Sequence, residues 1–368
     1  MSENNTKIPS NHLNNFFFLN YIFSFQIKSS FKRIYYLKKK YILKIIKYLL
    51  FAISLSIIIF IRIINFFNHI HISMSFNNNY IYPIMISITS ILMNAKNSTF
   101  IHLHFIIGND VDINNINKIL SLKKNNSNSD FTFHNVGDTF KGWIHGKKKI
   151  TFAAFYRIIL GEIIKNVNKM IYLDGDTLIY NDLTEMYKLN MKNLYFRGIR
   201  EIVNYNYETE IDKSKYICDG VMLMNLKLMR KAHVFYTFRE YYLKYFNKGI
   251  YYGDQHIINA LYKNKIGFLP PKFGMWFINE NDIRNYKELN PLVYTEQELR
   301  ESIFKPVIRH IWGTTNNGFL YEKPWFLKDY YIIKEEWNYY AKKTGYYHLI
   351  CQFYIYACIN INKNISLN

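Results

Sequence analysis

Hydrophobic residues fall into two regimes along the chain. Between Tyr48 and Ile61 they form one uncharged run, YLLFAISLSIIIFI, which reaches 20 residues at Phe67 if the Arg62 guanidinium snorkels toward an interface. A basic segment leads into the run, and no Lys, Arg, Asp or Glu occurs from Ile63 to Ala95. The reading is an anchor helix over 48–67; a buried core helix is the alternative for its first 14 residues.

From His69 onward short β-rich runs alternate with helical stretches, the pattern of an α/β domain. HIHISMSF (His69 to Phe76) reads as a strand followed by Asn77, Asn78 and Asn79, and Pro83 to Met93 as a helix. IHLHFII (Ile101 to Ile107) is the next strand, Ile113 to Leu122 a polar helix, and Asp130 to His134 a third strand. Thr151 to Lys165 is amphipathic, and MIYLDGDTLIY (Met170 to Tyr180) is a strand that runs into two carboxylates. Past residue 180 the order is less regular, and no internal repeat is present.

Composition narrows the class. A chain of 368 residues with 49% hydrophobic content can bury a full core. Three cysteines, Cys218, Cys351 and Cys358, exclude a disulfide-stapled scaffold and a Cys-rich zinc module. The net charge of +20 is lopsided: residues 1–70 hold ten Lys/Arg against Glu3 alone, whereas 71–368 hold 37 against 26 acids. With the basic excess before the apolar run, the positive-inside rule leaves the N-terminus cytoplasmic and carries the remainder across the membrane. No Arg/Gly tract, zinc finger or helix-turn-helix pattern occurs, so nucleic acid is not an expected partner. The organisation is a basic segment (1–47), the anchor (48–67), a catalytic-size domain (70–345) and an aromatic C-terminal tail (346–368). Aromatics and lysines interleave from Asp329 to Asn360, which either lies on a membrane surface or packs its first half on the domain as a helix.

Asp174-Gly175-Asp176 ends an apolar strand, where parallel sheets bind ligands, and two carboxylates there suit a hard divalent ion. The alternative for an Asp-x-Asp is a solvated turn. Arg309-His310-Ile311-Trp312-Gly313 holds a second candidate ligand, His310, with Lys323 further on as a cation suited to phosphate. Between them, Gly253 to Asn259 opens a helix for which Asp254 is the expected cap.

The blocks FNNNY (76–80), TFAAFYRIILGEI (151–163), YLDGDTLIY (172–180), YICDGVMLMNLKLMR (216–230), GDQHIINALY (253–262) and HIWG…KPW (310–325), in that order, resemble the glycogenin and lipopolysaccharide-glycosyltransferase family, family eight of the retaining glycosyltransferases. The resemblance covers about residues 70–345. It implies a GT-A fold, an α/β architecture whose Rossmann-like nucleotide-sugar-binding sheet has flanking helices. It further implies a UDP-sugar donor and a Mn²⁺ or Mg²⁺ ion held by Asp174, Asp176 and His310. Asn77, Asn79 and Tyr80 match residues that hold the uridine, Arg157 one that touches the donor sugar, and Gly313 and Lys323 those that approach the phosphates. Asp254 and Gln255 match the pair beside the reacting sugar carbon, and Asp219 falls in the donor-sugar pocket.

The chain departs from the family pattern in four places. Asn77 replaces an acid, Cys218-Asp219-Gly220 replaces Asn-Ala-Gly, His256 replaces a second Asp, and about nine residues rather than two separate Gly313 from Lys323. A haloacid-dehalogenase-type phosphatase also keeps an Asp-x-Asp at a strand end, but it needs Thr or Val where Leu178 stands and opens its domain with the motif. The expectation is therefore a metal-dependent retaining hexosyltransferase acting on a glycan, glycolipid or glycoprotein, with a non-catalytic sugar-nucleotide-binding protein as the alternative. It sits in a membrane as a single-pass protein, in the Golgi if eukaryotic and in the bacterial envelope otherwise.

Overall fold

The computed structural model describes residues 11–67, 69–145, 151–201, 211–275, 277, 279–289, 293–311 and 331–355. It divides into two units, Met1–Phe67 and Asn68–Asn368.

The first unit is one helix, Asn11–Phe67. It begins well before the apolar run, since Lys, Leu and Ile in the basic segment tolerate helix as readily as the run itself. Within it Ser24–Ile61 is long and apolar enough to cross a membrane. Over Tyr48–Ile61 the helix carries no charged residue, and Leu49, Phe51, Ile53 and Phe60 are exposed there. The hydroxyls of Ser54 and Ser56 bond back to the carbonyls of Phe51 and Ala52, which satisfies them within the helix.

The second unit is built on a seven-stranded sheet. Its strands in chain order are β1 (His69–Ser75), β2 (Phe100–Ile107), β3 (Ser129–Asn135), β4 (Met170–Leu173), β6 (Phe196–Arg200), β7 (Ile217–Met224) and β8 (Ile266–Phe268), and the spatial order is β3-β2-β1-β4-β7-β6-β8. The first four run parallel, and β7 is antiparallel to both β4 and β6. A smaller sheet joins β5 (Thr177–Ile179), β10 (Ile308–His310) and β9 (Phe273–Gly274) in the order β5-β10-β9.

One sheet face buries Ile70, Ile72, Met74, Ile101, Leu103 and Phe105 together with the helix Ile81–Asn94. The other buries Tyr172, Met222 and Met224 against Leu226, Phe238 and Ile257 of the later helices. Alternation along β1 and β2 thus serves the period of two that places successive side chains on opposite faces.

Two expectations change in detail. Met170 to Tyr180 is not one strand: Asp174-Gly175-Asp176 turns the chain, so β4 stays in the large sheet while β5 enters the small one. A Cβ at residue 175 would lie 2.8 Å from both Tyr80 and Ile84, so the turn packs only with glycine. The amphipathic segment from Thr151 is a 3₁₀ helix, Phe152–Ile159, followed by the short α-helix Leu160–Ile163. There the Ala154 carbonyl accepts from the Arg157 Nε three residues on.

The first half of the tail packs on the domain. The helix Tyr331–Lys343 buries Trp337 and Ala341 completely against Ile86, Leu178 and Ile311, and Trp337 Nε1 donates to Tyr354 Oη at 2.5 Å. Residues beyond 355 lie outside those described.

Candidate active site

At the carboxyl end of β4 the Asp174 N–H donates to the Gly220 carbonyl of β7 at 2.8 Å, tying the two strands where the turn begins. Asp176 leads into β5, and β10 lies antiparallel to β5 with His310 opposite Thr177. That pairing returns a residue more than 130 positions downstream to the Asp-Gly-Asp turn. His310 Nε2 is 3.3 Å from Asp176 Oδ1 and 3.7 Å from Asp174 Oδ2. One ligand atom from each of the three residues falls within 4.8 Å of the others. Gly220 makes room for them, since a Cβ there would sit 2.0 Å from His310 Cε1 and 2.8 Å from Asp174 Oδ2. On the far side of the imidazole, the Cys218 Sγ is 3.6 Å from His310 Nδ1, and burial pushes that thiol up so that it stays protonated.

Arg157 joins this cluster to a second one. Its side chain is buried, and its guanidinium reaches Asp174 Oδ1 at 2.9 Å, Asp219 Oδ1 at 3.1 Å and Asp254 Oδ2 at 2.9 Å. The ring of Tyr172 lies 4.4 Å from the guanidinium carbon, and Tyr172 Oη donates to Asp174 Oδ1 at 3.1 Å. Burial alone would lower the Arg157 pKa, but Asp174, Asp219 and Asp254 together hold it well above its ordinary value.

The two carboxyls beside Arg157 separate in character. Burial pushes Asp219 well up, with Asp254 and Asp174 adding to it against the pull of Arg157. Burial would also raise Asp254, but Arg157 and His145, whose Nε2 lies 3.3 Å from Asp254 Oδ1, hold it below the usual carboxylate range. Burial and the shared guanidinium thus push the two carboxyls in opposite directions. Asp219 and Asp254 also share a side-chain hydrogen bond.

Asp254 does not cap its helix as expected. Gly253 is the N-cap of Asp254–Leu261, because the Asp254 carboxylate is drawn toward Arg157 and His145 instead of the first-turn amides. Gln255 Nε2 donates to Glu201 Oε2 at 2.6 Å, and its Oε1 accepts from the Asp219 N–H at 3.3 Å. Of the nucleoside candidates, Tyr80 Oη donates to Asp176 Oδ2 at 3.2 Å, Asn77 Nδ2 donates to Thr151 Oγ1 at 3.3 Å, and Asn79 is exposed. Gly313 and Lys323 lie outside the described residues.

Asp174, Asp176, His310, Arg157, Asp219, Asp254, Gln255 and Tyr80 thus form one connected network. Tyr172, Glu201 and His145 belong to it as well and went unread in the sequence. Tyr172 stood two residues before the Asp-Gly-Asp turn on the same strand, which was a usable signal. His145 and Glu201 carried none, since only the folded chain brings them to Asp254 and Gln255.

Residues 71–315 match the model of the family described as Glycosyl transferase family 8. A Haemophilus influenzae protein named as a glycosyltransferase is 30% identical over 131 residues, which are 34% of this chain and 39% of that protein. Glycosyltransferase GlyE of Streptococcus pneumoniae is 23% identical over 248 residues, 62% of this chain and 54% of its own length. The chain therefore spans well under two thirds of either relative. Among solved structures, the galactosyltransferase LgtC in complex with donor and acceptor sugar analogues superposes with a TM-score of 0.60 at 22% identity, over 74% of this chain and 96% of that one. The fold is accordingly GT-A-like, and with more than half of its length inside the family match the chain belongs to glycosyl transferase family 8.

Proposed function

We propose that the protein is a metal-dependent, retaining hexosyltransferase that moves a hexose from a UDP-sugar to a glycan, glycolipid or glycoprotein. The observation that carries this reading is the convergence of Asp174, Asp176 and His310 at the carboxyl end of β4, beside a buried Arg157 that is outnumbered by carboxylates. Two carboxylates and an imidazole are a fitting donor set for Mn²⁺ or Mg²⁺, and the clearance that Gly220 leaves beside them supports that fit. When bound, such an ion supplies positive charge for the β-phosphate of departing UDP.

The chain's own residues have separate tasks. Arg157 acts as a positioning residue, fixing Asp174, Asp219 and Asp254 through three ion pairs. Asp219 lies on the donor-sugar side, while Asp254 and the Gln255 amide flank the donor carbon. Glu201 fixes the Gln255 amide. Tyr80, tied to Asp176, together with Asn77 and Asn79 lines the approach for the uridine. Gly313 and Lys323 are assigned to the diphosphate. The segment 48–67 anchors the protein in a Golgi or bacterial envelope membrane with a cytoplasmic N-terminus, a reading supported by the uncharged, exposed run Tyr48–Ile61 within a helix long and apolar enough to cross a membrane.

The test is UDP release from a panel of UDP-sugars, with Mn²⁺ present and after chelation, for the parent and for Asp176→Ala. Turnover that needs the ion and falls on the order of 10²–10³-fold in the variant supports the reading, that being the scale for loss of one charge-stabilising group. Turnover insensitive to both overturns the metal assignment. Tight UDP-sugar binding without turnover, acceptors supplied, favours the non-catalytic alternative.

A further inference from the structure

Along one face of the parallel strands lies a second concentration of ligating side chains. His69 and His71 on β1, His102 and His104 on β2 and His134 on β3 share a sheet face, because i and i+2 positions of a strand point the same way. The parallel register sets His71 opposite His102. Their rings stack, with centroids 4.7 Å apart for His69 and His71 and 4.1 Å apart for His102 and His104.

Hydrogen bonds account for part of this cluster only. His71 Nδ1 is 3.0 Å from His104 Nε2, and His104 Nδ1 is 3.1 Å from His134 Nε2, which makes a relay of three imidazoles. His102 Nε2 pairs with Thr132 Oγ1 at 2.7 Å, with Asp130 at 4.0 Å. His69 Nε2 is buried and has no partner among the described residues. A buried, unpaired ring nitrogen is unfavourable unless something occupies it.

We propose that His69, His71 and His102 form a second metal site, imidazole-only, for a borderline transition ion of the Zn²⁺ class. One nitrogen from each lies within 4.8 Å of the others. Tetrahedral zinc with Zn–N bonds of about 2.0–2.1 Å sets its ligand atoms about 3.4 Å apart, so the half-buried rings close by up to about 1.4 Å on binding. His71 Nδ1 and His102 Nε2 are already engaged, which leaves the other nitrogen of each ring for the ion. His104 then acts as the outer partner that fixes the His71 ring. Imidazole donors separate this site from the carboxylate-rich one at the carboxyl end of β4, which suits harder ions. Bound there, the ion cross-links β1 to β2 and leaves one coordination position to water.

The probe is Zn²⁺ itself, titrated calorimetrically into the full-length, chelator-stripped protein in detergent with excess Mn²⁺ present. One zinc equivalent is expected in the parent and in an Asp174→Asn/Asp176→Asn variant. Zinc affinity should fall by more than 100-fold in His71→Gln/His102→Gln and by about 10–100-fold in His104→Gln, the range for loss of an outer partner. Circular dichroism follows folding. X-ray absorption on the parent loaded with a single zinc equivalent decides independently of any variant: a shell rich in imidazole is expected. A shell with one imidazole or none, loss of zinc from the carboxylate variant with retention in the folded histidine variant, or no zinc bound by the parent overturns the proposal.

Discussion

The turns beyond the carboxyl ends of the parallel strands and one face of the strands themselves carry opposite chemistry. In one place four carboxyls crowd around a single guanidinium and two imidazoles, and in the other five imidazoles stack with Asp130 as their nearby acid. From the β1–β4 register, Asp174 lies about four residues, or about 13 Å, along the strand from the level of His71. The difference teaches that a sheet holds functional groups by different means in these two places. Beyond the strand ends, loops and the smaller sheet bring distant residues together. Within the strands, alternation and register alone make the cluster.

The largest expected effect falls on the carboxylate end. Replacing Arg157 by Met leaves three carboxyls without their shared cation, and stability should drop by about 3–5 kcal/mol in thermal or urea unfolding. Arg157→Lys should recover little, because an ammonium cannot serve three acids from one planar fork. A comparable loss from His104→Gln, in the imidazole cluster, would break the contrast.

Gly220→Ala should come next. Its methyl would push the His310 ring away from Asp174, so Mn²⁺ affinity should fall by about 100-fold while zinc binding at the histidine cluster is unaffected. Loss of both together would mean the two places are not independent.

A smaller contrast lies within the acid end itself. Arg157 and His145 hold Asp254 low while burial pushes Asp219 up, so Asp219→Asn should stay within a few-fold of the parent in UDP release, whereas Asp254→Asn should lose about 100-fold. Equal losses would reject the division of roles.

The smallest effect is a proton linkage at His256, which is buried and stacks on Tyr252 with centroids 3.9 Å apart. Burial lowers its pKa to about 4 from an ordinary 6.5. The unfolded chain therefore takes up a proton that the folded chain does not, and this contribution to stability is lost as pH falls from about 6.5 toward 4. His256→Gln should remove up to about one proton from the acid limb of the stability curve. An acid limb identical to the parent's would show that His256 titrates alike in both states.

Much of the first half of the fold was legible. The strands at His69, Ile101 and Asp130 and the helices at Pro83 and Ile113 appear within two residues of where hydrophobic alternation and periodicity put them. Met170 to Tyr180 was legible only as apolar sequence. Which sheet each half joins depends on β10, which pairs with β5 from far downstream. The Asp-Gly-Asp turn and His310 stood out as separate candidates, but their approach to 3.3 Å is a product of that pairing. The i, i+2 histidines of HIH and HLH were visible in the strands, and their meaning depended on a register that no local pattern encodes.

By itself, then, the sequence determined where apolar runs must be buried or inserted in lipid, where strands end in acids, and the order of motifs that resembles family eight. Those follow from local periodicity and residue chemistry, which act over a few neighbouring positions. Only the tertiary structure decided that Arg157 serves three carboxyls, that Asp219 and Asp254 are pushed in opposite directions, and that His145 and Glu201 belong to the site. The reason is electrostatic: each of these properties depends on desolvation and on charges a few ångströms away in space, contributed by segments as much as a hundred residues apart in the chain.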